Sequence, residues 1–248
     1  MSRRRVIAGN WKMHHGPQAT RAFLETFHPA ARDGGPRIVL FPPAISLLAA
    51  FDVTQRDPRV EFGVQNVHEA PQGAFTGETS CAMAAEAGAT WVLVGHSERR
   101  HLFGESDAQV ASKVAAILAA DLIPMICVGE TLEQRRAGRV VDVIVSQLET
   151  AVAPIAPGRA FAVAYEPVWA IGTGETATPA DAAEAHGALR ERLRELRAAE
   201  ADHVPLLYGG SVKPDNAAEL LAASDIDGLL VGGASLDPES FRQIVEHA

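Results

Sequence analysis

Short apolar runs alternate with helical patterns along the whole chain. The runs lie at residues 5–9, 37–41, 60–65, 91–95, 123–128, 160–165, 204–208 and 228–231. They are almost continuously apolar rather than alternating, which indicates strands that are buried on both faces, as in a parallel sheet. Patterns rich in Ala, Leu, Glu and Arg separate them and predict helices, for example at 108–120, 132–152, 179–199 and 214–223.

Counting these units predicts the fold class. Eight strand candidates, each followed by a helical segment, favour an α/β protein with a closed, parallel, eight-stranded (β/α)₈ barrel. The length of 248 residues suits one such barrel or two ordinary domains, and because no linker or low-complexity stretch interrupts the pattern we expect a single domain over residues 1–248. A doubly wound open sheet is the alternative that the same pattern allows.

Composition narrows the class of partner. Hydrophobic residues make up 47% of the chain and aromatic residues only 6%, so we expect a large core built from Ala, Val, Leu and Ile. The formal net charge of -9 disfavours nucleic acid and anionic membrane surfaces as partners. The one basic run, Arg3-Arg4-Arg5, is interpreted as a solvated N-terminal segment.

The two cysteines, Cys81 and Cys127, lie far apart and outside any metal-binding spacing. We therefore expect neither a disulfide framework nor a metal site. No cofactor is expected either. The sequence lacks an apolar run of the roughly 18 residues that a membrane span needs, and its first residues lack an apolar signal core. A cytoplasmic location is the expectation.

Polar and glycine residues collect where the predicted strands end. Barrel closure brings the carboxyl ends of all strands to one face, where barrel enzymes carry their chemistry. The strand-end segments are Asn10-Trp11-Lys12, Gly95-His96-Ser97-Glu98, Tyr165-Glu166-Pro167, Gly209-Gly210-Ser211 and Gly232-Gly233.

Glu166 and His96 are the candidates for acid–base chemistry. Glu166 directly follows an apolar run, and desolvation of a carboxylate raises its basicity, which suits a base that takes a proton from carbon. His96 precedes Ser97 and Glu98, which suit a helix N-terminus, and the helix dipole there favours a neutral imidazole that donates to a carbonyl oxygen. The alternatives are a Glu paired with a surface cation and a packed, hydrogen-bonded His.

Anion binding is predicted for the remaining strand-end residues. The Lys12 ammonium suits a phosphate or a developing oxyanion, with Asn10 as a neutral donor. The glycine pairs, with Ser211, permit close backbone approach to a phosphate after strands seven and eight. Ordinary surface charge and plain turns are the competing explanations.

Three other motifs carry no function in our interpretation. Residues 172–177 match GxGxxA, but they do not follow a strand directly, as a dinucleotide-binding turn requires. Residues 95–99 lack the last glycine of GxSxG. His14 and His15 form a pair without metal-ligand spacing.

Five segments together resemble the triosephosphate isomerase family. They are Gly9-Asn10-Trp11-Lys12-Met13, Val94-Gly95-His96-Ser97-Glu98-Arg99-Arg100, Cys127-Val128-Gly129-Glu130, Ala164-Tyr165-Glu166-Pro167-Val168-Trp169-Ala170-Ile171-Gly172-Thr173-Gly174 and Tyr208-Gly209-Gly210-Ser211-Val212. The resemblance runs from residue 6 to near the C-terminus without a large insertion.

The resemblance implies an aldose–ketose isomerase of glycolysis and gluconeogenesis that interconverts dihydroxyacetone phosphate and D-glyceraldehyde 3-phosphate. In that family a glutamate is the base, a neutral histidine polarises the carbonyl, and a loop closes over the site. By this resemblance Glu166 moves a proton between carbons, His96 polarises the carbonyl, and Lys12 and Asn10 stabilise the enediolate. The other positions it carries over are phosphate-binding Gly172, Ser211, Gly232 and Gly233, and supporting Glu98, Ser97 and Cys127.

The resemblance also implies a lid and a dimer. The lid comprises Pro167, Val168, Trp169, Ala170, Ile171, Gly172, Thr173 and Gly174. Residues 65–78 resemble the loop through which two copies join, with Thr76 reaching Asn10 and Lys12 of the partner. A homodimer that acts on triose phosphates is therefore expected, and Glu175 in the hinge and His14 depart from the family pattern.

Two competing functions remain at this stage. One is another phosphate-binding barrel enzyme, such as a Schiff-base aldolase, for which Lys12 is the candidate, or a metal-dependent epimerase. The other is a phosphate-binding protein without catalysis. Such a protein has no need to keep Asn10, Lys12, His96 and Glu166 together.

Overall fold

The strands close into a parallel barrel, which confirms the predicted fold class and excludes the open sheet. A computed structural model describes residues 3–30, 34–54, 59–170, 177–198 and 200–248. Each strand pairs in parallel with the next, and β8 pairs with β1. The strands are β1 Val6–Asn10, β2 Arg37–Phe41, β3 Val60–Val64, β4 Trp91–Val94, β5 Ile123–Val128, β6 Ala162–Tyr165, β7 Leu206–Tyr208 and β8 Gly228–Val231. These bounds differ from the predicted ones by at most two residues.

Helices follow the strands around the outside of the barrel. They are α1 Pro17–Thr26, α2 Leu47–Thr54, α3 Cys81–Glu86, α4 Ser97–Leu102, α5 Asp107–Ala119, α6 Leu132–Arg136, α7 Val140–Val152, α8 Pro179–Arg197, α9 Pro214–Ala222 and α10 Pro238–Glu246. The single helix predicted over 132–152 is wrong, because Gly138 adopts a φ of 70° and divides it into α6 and α7.

Helix starts follow from local chemistry. The Thr178 hydroxyl accepts a hydrogen bond from the backbone N–H of Asp181, and Pro179 occupies the first turn of α8. Pro214 occupies the same position in α9. The sequence predicts helices that begin at residues 179 and 214, and α8 and α9 begin there.

Strand periodicity divides the core into two layers. Alternate strand residues fill the barrel interior, including the small Ala8 and Ala164 and the larger Phe41 and Leu93. The intervening residues pack against the surrounding helices. The strands are therefore buried on both faces, as their continuous apolar runs predicted. Within the described ranges, no helix is long and apolar enough to span a membrane.

The basic N-terminal run is only partly solvated. Arg3 Nε donates to Asp227 Oδ1 at 2.5 Å, and Arg5 Nη2 donates to the Leu221 carbonyl at 3.2 Å. The interpretation as a solvated segment is wrong for these two residues, because both guanidinium groups donate hydrogen bonds to the segment from the end of α9 to the start of β8. Arg4 alone is exposed.

A buried ionic cluster supports the start of β8. The Arg190 side chain is fully buried in α8, and its Nη2 atom lies 2.5 Å from Asp227 Oδ2. Arg190 Nη1 also donates to the Val204 carbonyl at 2.8 Å. His186, one turn earlier in the same helix, has its Nδ1 atom 2.9 Å from the Asp225 carbonyl, while its Nε2 atom has no hydrogen-bond partner among the described residues.

This histidine makes stability depend on pH. Burial lowers the pKa of His186 from 6.5 to about 4. Between these values the unfolded chain binds a proton that the folded chain does not, so stability is lost as pH falls from about 6.5 towards 4. We expect His186 to remove on the order of 2–3 kcal/mol between pH 7 and pH 4.5. Urea unfolding at both pH values measures this loss.

His186→Gln serves as the comparison, because it removes the titration at this position alone. The difference in unfolding free energy between pH 7 and pH 4.5 is expected to shrink in this variant. An equal loss in the two proteins would contradict the assignment.

Candidate active site

The strand-end residues meet through a continuous chain of hydrogen bonds. Asn10 ends β1, His96 caps the N-terminus of α4, and Glu166 follows β6. From Lys12 the chain passes through Glu98 to His96 and Glu166. The structure therefore brings these side chains together on one face of the barrel, as the sequence predicts.

Glu166 is held at both carboxylate oxygens. The side chain is 2% exposed. Its Oε1 atom lies 3.0 Å from His96 Nε2, and its Oε2 atom accepts a 3.0 Å hydrogen bond from the backbone N–H of Ser97. Its own N–H donates to the Val128 carbonyl at 2.7 Å, which fixes the backbone against the end of β5.

These contacts change the acidity expected from the sequence. Burial raises the pKa of Glu166, whereas the hydrogen bonds from His96 and from the Ser97 N–H lower it. Burial acts in the direction that the sequence predicts, but apolar flanking residues do not reveal which donors the fold brings to the resting carboxylate.

The hydrogen bonds around His96 fit a neutral imidazole. Its Nδ1 atom accepts from the backbone N–H of Glu98 at 3.2 Å, which leaves the ring proton on Nε2, facing Glu166. Burial lowers the pKa of His96, whereas the Glu166 carboxylate raises it by more. A second ring proton, on Nδ1, would point at the Glu98 N–H, which is itself a donor, so the neutral form fits these contacts.

Lys12 is placed by an unusual backbone and by a residue that the sequence did not single out. Its φ is 49°, which is uncommon outside glycine. Its N–H donates to Asn10 Oδ1 at 3.0 Å, and its carbonyl accepts from Gln65 Nε2 at 2.7 Å. Its Nζ atom lies 2.6 Å from Glu98 Oε1. Gln65 follows β3, and a lone amide at a strand end gave no signal for this positioning role.

Beside Lys12 lies an open cleft of about 730 Å³, large enough for a small phosphorylated sugar. Its lining includes Asn10, Ser211, Gly232 and Gly233. A β-carbon at Gly233 would meet nothing within 4 Å, so its backbone faces open space. Gly172, predicted to bind phosphate, lies outside the described residues.

The described part of the predicted lid is anchored by Glu130. Trp169 Nε1 donates to Glu130 Oε1 at 2.8 Å, and the Tyr165 hydroxyl donates to the same oxygen at 3.2 Å. The Arg135 guanidinium stacks 4.5 Å from the centre of a Trp169 ring. Ile171, Thr173 and Gly174, like Gly172, lie outside the described residues. Glu130 belongs to a quoted motif, but its role needed the structure.

Two further predicted residues, Cys127 and Thr76, lie in different parts of the structure. Cys127 is fully buried in the barrel interior, where burial and the Glu166 carboxylate hold its pKa well above the usual value. Thr76 is exposed on the loop after β3, beside Phe75, whose ring is 45% exposed. Across the described ranges, no three His, Cys, Asp or Glu side chains are grouped so as to hold a metal ion.

Gly129 carries the tightest steric constraint on Glu166. A β-carbon there would lie 1.8 Å from the Glu166 carbonyl oxygen. We expect Gly129→Ala to shift Glu166 and to reduce turnover by about 10²-fold, because a displacement of about 1 Å has that effect on catalysis. Steady-state kinetics on the purified variant measures this change.

Gly187→Ala is the matched control, because a β-carbon at this helical position meets nothing within 4 Å. It should leave turnover unchanged and raise the melting temperature slightly. Normal activity in Gly129→Ala would contradict the constraint.

Comparisons with known proteins agree with this geometry. The triosephosphate isomerase family model matches residues 5–248. The triosephosphate isomerase of Halorhodospira halophila is 49% identical over 99% of this chain and 98% of its own length, and that of Roseiflexus sp. (strain RS-1) is 48% identical over 97% and 96%. The crystal structure of triosephosphate isomerase from Bartonella henselae has a TM-score of 0.89 at 40% identity and covers 98% of both chains. The chain therefore belongs to the triosephosphate isomerase family and is an isomerase.

Proposed function

We propose that this protein interconverts D-glyceraldehyde 3-phosphate and dihydroxyacetone phosphate by proton transfer through an enediolate, in glycolysis and gluconeogenesis. The observation that carries the proposal is the 3.0 Å contact between Glu166 and His96 at the strand ends, beside Lys12 and the glycine-lined cleft. One carboxylate and one imidazole in contact can exchange protons with adjacent carbon and oxygen atoms of one substrate.

Glu166 acts as the base in this mechanism. It removes a proton from the carbon next to the carbonyl and returns one to the neighbouring carbon. To do so it must exchange its hydrogen bonds with Ser97 and His96 for contact with substrate. Once it leaves these donors, burial is no longer offset, and the pKa of Glu166 rises towards that of an effective base.

His96 and Lys12 act on the oxygens. The Nε2 proton of His96, freed from Glu166, is donated to the carbonyl oxygen and then moves between the two substrate oxygens. Lys12 and Asn10 stabilise the negative charge of the enediolate. Glu98 and Ser97 have supporting roles, because Glu98 holds the Lys12 ammonium at 2.6 Å and Ser97 holds the resting carboxylate.

Phosphate binding and closure complete the proposal. The phosphate is bound by the backbones of four residues, Ser211, Gly232, Gly233 and Gly172. These contacts contribute equally to the binding of substrate and of product. Residues 167–174 close over the site and exclude water, which suppresses loss of phosphate from the enediolate. We infer a single domain over 1–248, a cytoplasmic location, and a homodimer in which Thr76 reaches the partner subunit's site.

The competing barrel reactions fit the site less well. A Schiff-base aldolase needs a lysine amine that is free to attack a substrate carbonyl, whereas Lys12 Nζ is engaged by Glu98 Oε1 at 2.6 Å. A binding protein without catalysis gains nothing from the buried Glu166–His96 pair. Burial of a carboxylate costs free energy, which hydrogen bonds must offset.

The test supplies D-glyceraldehyde 3-phosphate in D₂O and follows dihydroxyacetone phosphate by NMR. We expect rapid isomerisation and solvent deuterium on the carbon that gains a proton. Absence of turnover would overturn the proposed reaction. Turnover with complete retention of the substrate hydrogen would instead overturn proton transfer through a solvent-exchanging base.

A further inference from the structure

The barrel has a second cleft at its opposite mouth, where the strands begin. This cleft has a volume of about 630 Å³. Its apolar lining comes from the first residues of β1, β4 and β5 and from the residue before β6, namely Val6, Trp91, Ile123 and Phe161. No step of the proposed reaction uses this end of the barrel, which barrel enzymes generally keep for stability.

The carboxylates of this cleft, which we call the lower cleft, are already paired. Arg37 donates to Glu61 through Nε at 2.8 Å and Nη2 at 2.5 Å, and Trp91 Nε1 donates to Glu61 at 2.9 Å. Glu200 accepts from the Gly158 N–H and pairs with Arg197 at 3.3 Å. Neither carboxylate is left to attract a cation or to repel an anion strongly.

Two other arginines that line the lower cleft, Arg4 and Arg159, have positive charges that nearby carboxylates neutralise much less. Arg4 is exposed; its Nε donates to the Gly35 carbonyl at 2.9 Å, and it forms no ion pair with any residue that the structure describes. Arg159 pairs with Asp121, whose side chain is 86% exposed, and such a surface pair is weak. The lower cleft is therefore locally positive in a chain of net charge -9.

We propose that the lower cleft binds a small aromatic carboxylate, with its ring against the apolar floor and its carboxylate on Arg4 and Arg159. The guanidinium fork of Arg4 matches the two oxygens of a carboxylate, which a neutral group does not engage as strongly. The apolar surface that remains open to a planar ring comes from Ile123, Ala160 and Pro205, because Trp91 and Phe161 are only 1% and 4% exposed and lie beneath arginine side chains. This site is independent of the proposed reaction, because it occupies the other end of the barrel.

The three tryptophans provide a readout that separates the two ends. Trp91 Nε1 lies at the lower cleft, whereas Trp11 and Trp169 lie at the strand ends near the active site. Benzoate is titrated into protein labelled with ¹⁵N-tryptophan at low salt, and the indole N–H signals are followed. We expect a saturable shift of the Trp91 signal alone, and none with the neutral benzamide.

Two variants complete the test. Arg4→Gln should weaken benzoate binding by about tenfold, because a charge-assisted contact is lost. Arg136→Gln, an exposed arginine of α6 at the other end, should leave it unchanged. The proposal is overturned if Trp91 does not respond, if benzamide shifts it equally, if Arg4→Gln binds as well as the parent, or if Trp11 and Trp169 shift alongside it. Isomerase activity does not enter any of these outcomes.

Discussion

Replacing Glu166 with glutamine is expected to lower kcat by about 10²–10⁴-fold, the usual contribution of a positioned general base. The amide oxygen can still accept from the Ser97 N–H, so the fold and the position of the side chain should persist. What is lost is the ability to take a proton from carbon, while the phosphate contacts are untouched. KM is therefore expected to change by only a few-fold.

Steady-state kinetics in both directions measures this effect, and a melting curve checks the fold. Glu133→Gln is the matched control, because Glu133 is an exposed carboxyl on α6 and should tolerate the change without loss. Full activity in Glu166→Gln would remove the role given to Glu166 and leave the isomerase activity itself standing. A large loss in the Glu133 variant would show that the assay responds to unrelated changes.

Lys12→Met is expected to lower kcat/KM by about 10²–10³-fold, comparable to the loss of one oxyanion-stabilising group. Lys12 Nζ is the ammonium nearest the proposed enediolate, and it is held by Glu98 at 2.6 Å. Methionine is also unbranched, is only one atom shorter and must adopt the same φ of 49°, so backbone strain stays similar while the charge is removed. Glu98 then adds an uncompensated negative charge beside an anionic substrate.

Lys213→Met separates this local effect from the general field, because Lys213 lies on the rim of the same cleft and carries the same charge. We expect its effect to stay below about tenfold and to fade at high salt, as long-range steering does. Equal losses from the two variants at all salt concentrations would show that Lys12 has no specific role at the reacting atoms.

Strand order and strand ends could be read from the sequence because both depend on local pattern. Apolar runs buried on both faces have a signature of their own, and the residues after them must share one mouth once the barrel closes. For this reason the sequence alone predicts that Asn10, His96 and Glu166 lie together. Thr178 and Pro179 likewise start a helix through contacts within four residues.

Features that depend on distant partners could not be read in this way. The resting position of the Glu166 carboxylate requires a donor from the start of α4, and the position of Lys12 requires Gln65, 53 residues away. The sequence predicts a solvated Arg3, because its partner Asp227 lies at the other end of the chain. His186 lies in an ordinary amphipathic helix, and only the packed structure shows that its imidazole is fully buried.

The double hold on the resting Glu166 carboxylate has a consequence for affinity. Release of Glu166 from Ser97 and His96 requires free energy, which has to come from contacts between the protein and the rest of the substrate. The observed affinity for substrate is then weaker than the affinity that those contacts alone would give. A variant that frees the carboxylate without disturbing the phosphate loops would reveal this difference as tighter binding.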